Sequence, residues 1–152
     1  MKNFNLTFGS ENILKQIIIA HPERQLKLLI SLTNEENLML FDFSDLPTIF
    51  KAGLSYQVIE QKFVWLEKSL YCFDYFKLNT IEQKEFQQLK RILLDNLNNY
   101  LLGQQSQHDF EFVIISSWQN LKDYHHWKNQ SSFWESKAEF LNSQYTRVFQ
   151  AI

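Results

Sequence analysis

At 152 residues the chain fits one domain, or two small halves sharing a core. Its 15 Lys and Arg against 17 Asp and Glu leave a net charge of −2 with no basic cluster, which argues against nucleic acid as a partner. A content of 3 Gly, 2 Pro and 16% aromatic residues argues against a Gly-rich phosphate loop and for long regular elements around an aromatic core. A single cysteine excludes a disulfide framework, and neither a signal-peptide core nor an apolar run of membrane-spanning length is present, so a cytoplasmic protein is expected.

In the first half, NFNLTF (3–8) alternates apolar and polar residues as a half-buried strand does. Ser10 offers an N-cap for a helix over roughly 11–20, closed at His21 because Pro22 disfavours helix before it. QLKLLISL and NLMLFDF read as two strands of a hairpin around TNEE, and SYQVIEQK as a strand or a short helix. No internal repeat is visible. LYCFDYFKL (70–78) is rich in strand formers, and Cys72 within it reads as a small packed hydrophobe. Thr80 and Gln83 form a T-x-x-Q capping box ahead of Phe86, Leu89, Leu93 and Leu97 at helical spacing. NYLLGQQ and FEFVIISSW then make strands around a QHD turn, and Asn120 caps a helix over 121–129. Ser132 and Glu135 suggest a further capped helix over 133–142, and YTRVFQAI closes as a strand.

The order from residue 70 is β-α-β-β-α-β, the split-βαβ pattern of a ferredoxin-like α+β fold. Helices pack on one sheet face in that pattern, and the other face stays apolar unless a second subunit covers it, which predicts a homodimer. On the helix over 121–129, a turn of about 100° per residue puts Leu121, Tyr124 and Trp127 on the buried stripe. His125 and His126 then point sideways and outward, and adjacent positions diverge too far to share a metal. His108 and His21 lie in connections and read as solvated. Lys137 sits inside the apolar stripe of its helix, between Phe133–Trp134 and Phe140–Leu141, where it either snorkels outward or faces a pocket as a cation. Asp74 shares a strand face with Cys72 and Phe76; it is either buried or at a strand edge beside a cation such as Lys77. No zinc spacing, Ser-His-Asp order or carboxylate pair occurs.

Several segments carry a resemblance. TFGSENILKQI followed by HP resembles an opening T/S-Y-G-T…L…I…N/H-P, and SYQVIEQ resembles a Y-E-V-I segment. FVIISSWQNLKDYHHWKNQSSF resembles a strand, an aromatic, and a helix ending W-x-x-S-x-x-[FY]. These are features of the antibiotic-biosynthesis-monooxygenase (ABM) superfamily, and within it of heme-degrading monooxygenases with an N-terminal extension and of TRAP-type signal proteins. The resemblance spans nearly the whole chain. It implies a dimeric α+β barrel, with an N-terminal α/β extension over 1–66 packed on an ABM core over 67–152.

In the heme-degrading members a tryptophan and, ten residues on, an iron-ligating histidine line the pocket, and an asparagine near the end of the first core strand assists oxygen activation. Trp127 matches the tryptophan. Ten residues on stands Lys137, and the asparagine position falls on Tyr75, or on Asp74 if the register slips by one. An ammonium is a poor iron ligand, and a tyrosine cannot supply the carboxamide donor. The resemblance therefore implies the fold more securely than the activity. Three readings follow. One is a non-catalytic member with a stress or signalling role. Another is a monooxygenase acting on heme or another aromatic, with Trp127, Tyr124 and Phe133 walling the pocket, Tyr75 or Asp74 bonding the substrate and Lys137 pairing with an anionic group. The third is a carrier of heme or a small ligand through His108, His125 or Tyr75. No cofactor is firmly implied, heme being a possible substrate or ligand.

Overall fold

Ser10 accepts from the Ile13 amide at the start of α1 (Glu11–Ala20), which follows β1 (Asn3–Gly9) as the sequence indicated. The computed structural model describes residues 1–33, 38–130, 134 and 144–152. After α1 come β2 (Leu26–Ser31) and β3 (Leu38–Asp42), the expected hairpin, and β4 (Leu54–Lys62). The second half runs β5 (Leu70–Lys77), α2 (Thr80–Leu94), β6 (Tyr100–Gln105), β7 (Glu111–Trp118), α3 (Leu121–Gln130) and β8 (Tyr145–Ala151). SYQVIEQK is therefore strand, in β4, with a register shift between Val58 and Glu60. The helix expected over 133–142, with its Ser132–Glu135 cap, lies outside the described residues.

The cap of α2 falls one residue earlier than Thr80 and Gln83 suggested. Asn79 keeps an extended backbone and accepts from the Glu82 amide at 2.8 Å, while the Glu82 carboxylate accepts from the Asn79 amide at 2.9 Å. Thr80 is already helical, and the Gln83 side chain instead donates to the Leu78 and Asp109 carbonyls.

The strands form one closed barrel in the order β1-β3-β2-β8-β5-β7-β6-β4, each neighbouring pair antiparallel. The second half contributes β8-β5-β7-β6, the strand order of a ferredoxin-like unit, as expected. The first half contributes β4-β1-β3-β2, which is the same order again, with α1 in its first crossover. The chain thus holds two related four-stranded units that periodicity alone did not reveal as a repeat. They join at two matching seams, β2 with β8 and β4 with β6. The apolar sheet face expected to need a second subunit is covered by the chain's own first half. The physical reason given for a homodimer is therefore removed, because the barrel closes within one chain.

An eight-stranded barrel is just wide enough to be filled by side chains. Here Phe4, Phe41, Tyr71, Phe73 and Phe149 fill it, each at most 1% exposed. β5 is buried on both faces: Tyr71, Phe73 and Tyr75 point inward, while Cys72, Asp74 and Phe76 point outward under the helices. The outward side forms a second core with Phe86, Leu93, Tyr124 and Trp127. One barrel end is plugged by the β4–β5 connection, where Trp65 stacks on Tyr71 at 4.7 Å and on Phe43 at 5.8 Å. Among the described residues no helix is long and apolar enough to cross a membrane.

Candidate functional site

Asn120 caps α3 by accepting from the Asp123 amide at 2.9 Å, and this phase sets which residues α3 turns toward the sheet. Tyr124 and Trp127 are buried against it, whereas His125 and His126 are exposed, as the helical geometry predicted. The Trp127 indole donates to the Leu93 carbonyl of α2 at 3.1 Å. Its ring packs against Trp118, Tyr124 and Trp134 with centroids at 5.9, 6.0 and 6.1 Å. Trp134 also meets Phe76 edge-on at 6.0 Å, so the gap between α3 and the outer face of β5 is occupied by aromatic rings.

Beneath Tyr124 lies Asp74, fully buried. Its Oδ1 accepts from the Tyr124 hydroxyl at 2.7 Å, Lys128 Nζ at 2.9 Å, the Thr146 hydroxyl at 2.6 Å and Gln144 Nε2 at 3.3 Å. Lys128 also donates to Gln144 Oε1 and Thr146 Oγ1, and its ammonium stands 5.0 Å from the Trp134 ring centroid. Among the described residues Asp74 Oδ2 has no hydrogen-bond partner. Burial, reinforced by the Asp74 charge, pushes the Tyr124 phenol far above its ordinary range, so it is a neutral donor at physiological pH. The same two causes raise the Cys72 thiol, which makes it an unreactive packed group.

The sequence reading placed Asp74 as buried or beside Lys77, and burial is what the structure shows. The paired cation is Lys128, whereas Lys77 lies 3.5 Å from Glu111. Lys128 carried one signal that could have exposed it: it follows Tyr124 by four positions and so shares the inward side of α3. Lys137 and Phe133 lie outside the described residues.

Tyr75 takes the opposite face of β5 from Asp74. It points into the barrel, stacks on Tyr145 with centroids 4.8 Å apart, and lines a cleft of about 270 Å³ at the barrel mouth. The candidates therefore separate into two places. Asp74, Tyr124 and Trp127 meet under α3, and Tyr75 stands at the mouth with His108 on the rim.

Solved structures share this architecture over nearly their whole length. One, described as a major regulator of staphylococcal pathogenesis, superposes with a TM-score of 0.81 at 19% identity, covering 99% of both chains. A ferredoxin-fold protein of Listeria monocytogenes, described as related to antibiotic biosynthesis monooxygenases, gives 0.81 at 20% identity over 100% of this chain and 95% of its own. The chain has the ferredoxin-like barrel fold of these proteins. A heme-degrading enzyme of Listeria monocytogenes, LmHde, shares it with a TM-score of 0.73 at 17% identity, over 98% of this chain and 99% of its own. No protein-family model and no curated protein matches the sequence. At these identities the likeness concerns the fold and not the chemistry each protein performs.

Proposed function

We propose that this ABM-fold chain is a non-catalytic member with a stress-response or signalling role, acting as a single-chain barrel in a reducing cytoplasm. The observation that carries this reading is the bonding of Asp74. A pocket shared with Trp127 must lie on the outer face of β5, so the position answering to the heme-degraders' asparagine is Asp74 and not Tyr75. There a carboxylate replaces the carboxamide, and its Oδ1 is engaged by four donors of the chain itself, among them the Lys128 ammonium. A group held in this way cannot offer a free donor to a bound oxygen species. The described residues beside it do not fit a heme, since Trp134 and Phe76 fill the space next to Trp127. The likeness to a staphylococcal regulator agrees with a fold retained for a purpose other than oxidation.

The likeness to LmHde and the retained Trp127 favour a second reading, oxidation of heme or another aromatic substrate. Hemin titration followed through the Soret band, with ascorbate then added in air, separates the two. The expected result is no protein-dependent loss of heme absorbance. A saturable Soret shift followed by such a loss would establish the second reading, and His125→Ala and Lys137→Ala would then show which side chain holds the iron.

A further inference from the structure

The two ends of the barrel are built differently. Aromatic rings from the β4–β5 connection close one end, while the other opens on the cleft beside Tyr75. The floor of that cleft is polar in an unusual way. Tyr56, Tyr75 and Gln105 are 2%, 7% and 7% exposed, yet among the described residues no hydrogen bond ties up either hydroxyl or the Gln105 amide. Tyr56 and Gln105 face each other directly across β4 and β6, and Tyr75 comes from β5. Three separate strands thus bring largely buried side chains to one cavity, with their unengaged polar atoms open to the cleft. Water or a ligand in the cleft is then what satisfies these atoms, and a ligand that hydrogen-bonds to them gains the orientation that three fixed strands impose.

The chemistry of the lining narrows what could fill the cleft. The wall carries one exposed aromatic face: Tyr145 is 56% exposed and stacks on Tyr75, and Leu54 adds apolar surface to the lining. The floor bears no formal charge, and the rim charges Lys77 and Glu111 are paired with each other. Burial raises the Tyr56 and Tyr75 phenols, so both are neutral hydroxyl donors across the physiological range. A cavity of about 270 Å³ is small beside the roughly 300–1,000 Å³ of drug-sized sites, which suits one or two rings and not a tetrapyrrole.

We propose that the barrel mouth binds an uncharged aromatic molecule of one or two rings whose carbonyl oxygen accepts from Tyr56, Tyr75 or Gln105. The ring lies against Tyr145, and the carbonyl points into the barrel. This site is separate from the Asp74–Lys128 cluster, so it stands whether or not the chain has any oxidative activity.

Chromone, a two-ring aromatic ketone, is a suitable probe, titrated into the ¹⁵N-labelled full chain and followed by amide shifts. Saturable shifts are expected at β5, β6 and the start of β8 and not on α3. Tyr56→Phe and Tyr75→Phe each remove one hydroxyl without changing the cavity, and at least one should weaken binding about five-fold. Leu54→Trp, which fills the mouth, should abolish it, and the spectra themselves report whether each variant is folded. Absence of saturable shifts at the mouth would overturn the proposal. So would affinity unchanged in both Tyr→Phe variants, or tighter binding of the anionic 2-naphthoate than of chromone.

Discussion

A Cβ built at Gly103 would stand 2.8 Å from the Phe4 ring and 3.2 Å from the Tyr56 Cβ, so β6 carries no side chain at the point where those rings stack. Phe4 is completely buried and lies 5.0 Å from the Tyr56 ring, so neither can retreat without repacking the barrel. Overpacking of this kind costs about 1–3 kcal/mol, against which the better strand propensity of alanine recovers about 0.5–1 kcal/mol. Gly103→Ala should therefore lower the urea midpoint by the equivalent of about 1–2 kcal/mol with an unchanged slope. A variant as stable as the parent would show that the interior is looser than these contacts indicate. On the other face of the sheet, isolating Asp74 would be costly. Its charge is fully buried, and Lys128, 19% exposed at its side chain, is the cation that compensates it. Removing either partner leaves the other charge without its counterion, and for a wholly buried carboxylate that penalty is large.

At the scale of elements, strand alternation and capping residues made most of the chain legible. β1, α1, the β2–β3 hairpin, β5, β7 and β8 fall where apolar periodicity and the Ser10 cap placed them. The outward direction of His125 and His126 follows from helical phase alone, and α3 confirms it. The α2 cap was misplaced by one residue because Asn79 and Thr80 are both good cap residues, each followed three positions later by a Glu or Gln. β4 was ambiguous because its alternation breaks at the irregularity between Val58 and Glu60. At the candidate site, Asp74 could be read as buried from its neighbours Cys72 and Phe76. Its counterion could not, since Lys128 lies 54 residues away and meets Asp74 only once α3 docks on β5. The barrel mouth was not legible either, because it needs Tyr56, Tyr75 and Gln105 from three strands whose order no local pattern specifies.

For the whole molecule, the decisive event is closure of two four-stranded units within one chain. Closure pairs every sheet edge, removing the exposed strands that an open ferredoxin-like sheet presents for association. The packing on the two sides of the barrel wall also buries phenols, Tyr71, Tyr56 and Tyr75 toward the interior and Tyr124 under α3. Burial raises Tyr71 to about 12 and lifts Tyr56, Tyr75 and Tyr124 further above their ordinary range. These groups keep their protons in the folded state after they ionise in the unfolded chain at about pH 10. Above that pH the unfolded state binds fewer protons than the folded one, so stability falls as pH rises. Each buried phenol contributes a slope of about 1.4 kcal/mol per pH unit until its own folded-state value is reached. The melting temperature should thus be insensitive to these groups below about pH 9 and drop steeply above pH 10. Phenolate absorbance near 295 nm should rise for these four residues together with unfolding. Their smooth titration in the folded protein near pH 10 would mean that these hydroxyls are better hydrated than their burial indicates.

On the proposed reading, the residues gathered under α3 hold the fold together and do not serve a substrate there. A double-mutant cycle on Asp74→Asn and Lys128→Met, read by urea unfolding, decides this. The single variants should each cost about 2–4 kcal/mol, and the double variant should cost less than their sum by at least about 1 kcal/mol, as expected for partners in one buried network. Single variants near parental stability, with additive effects in the double, would contradict this reading and leave Asp74 available for chemistry.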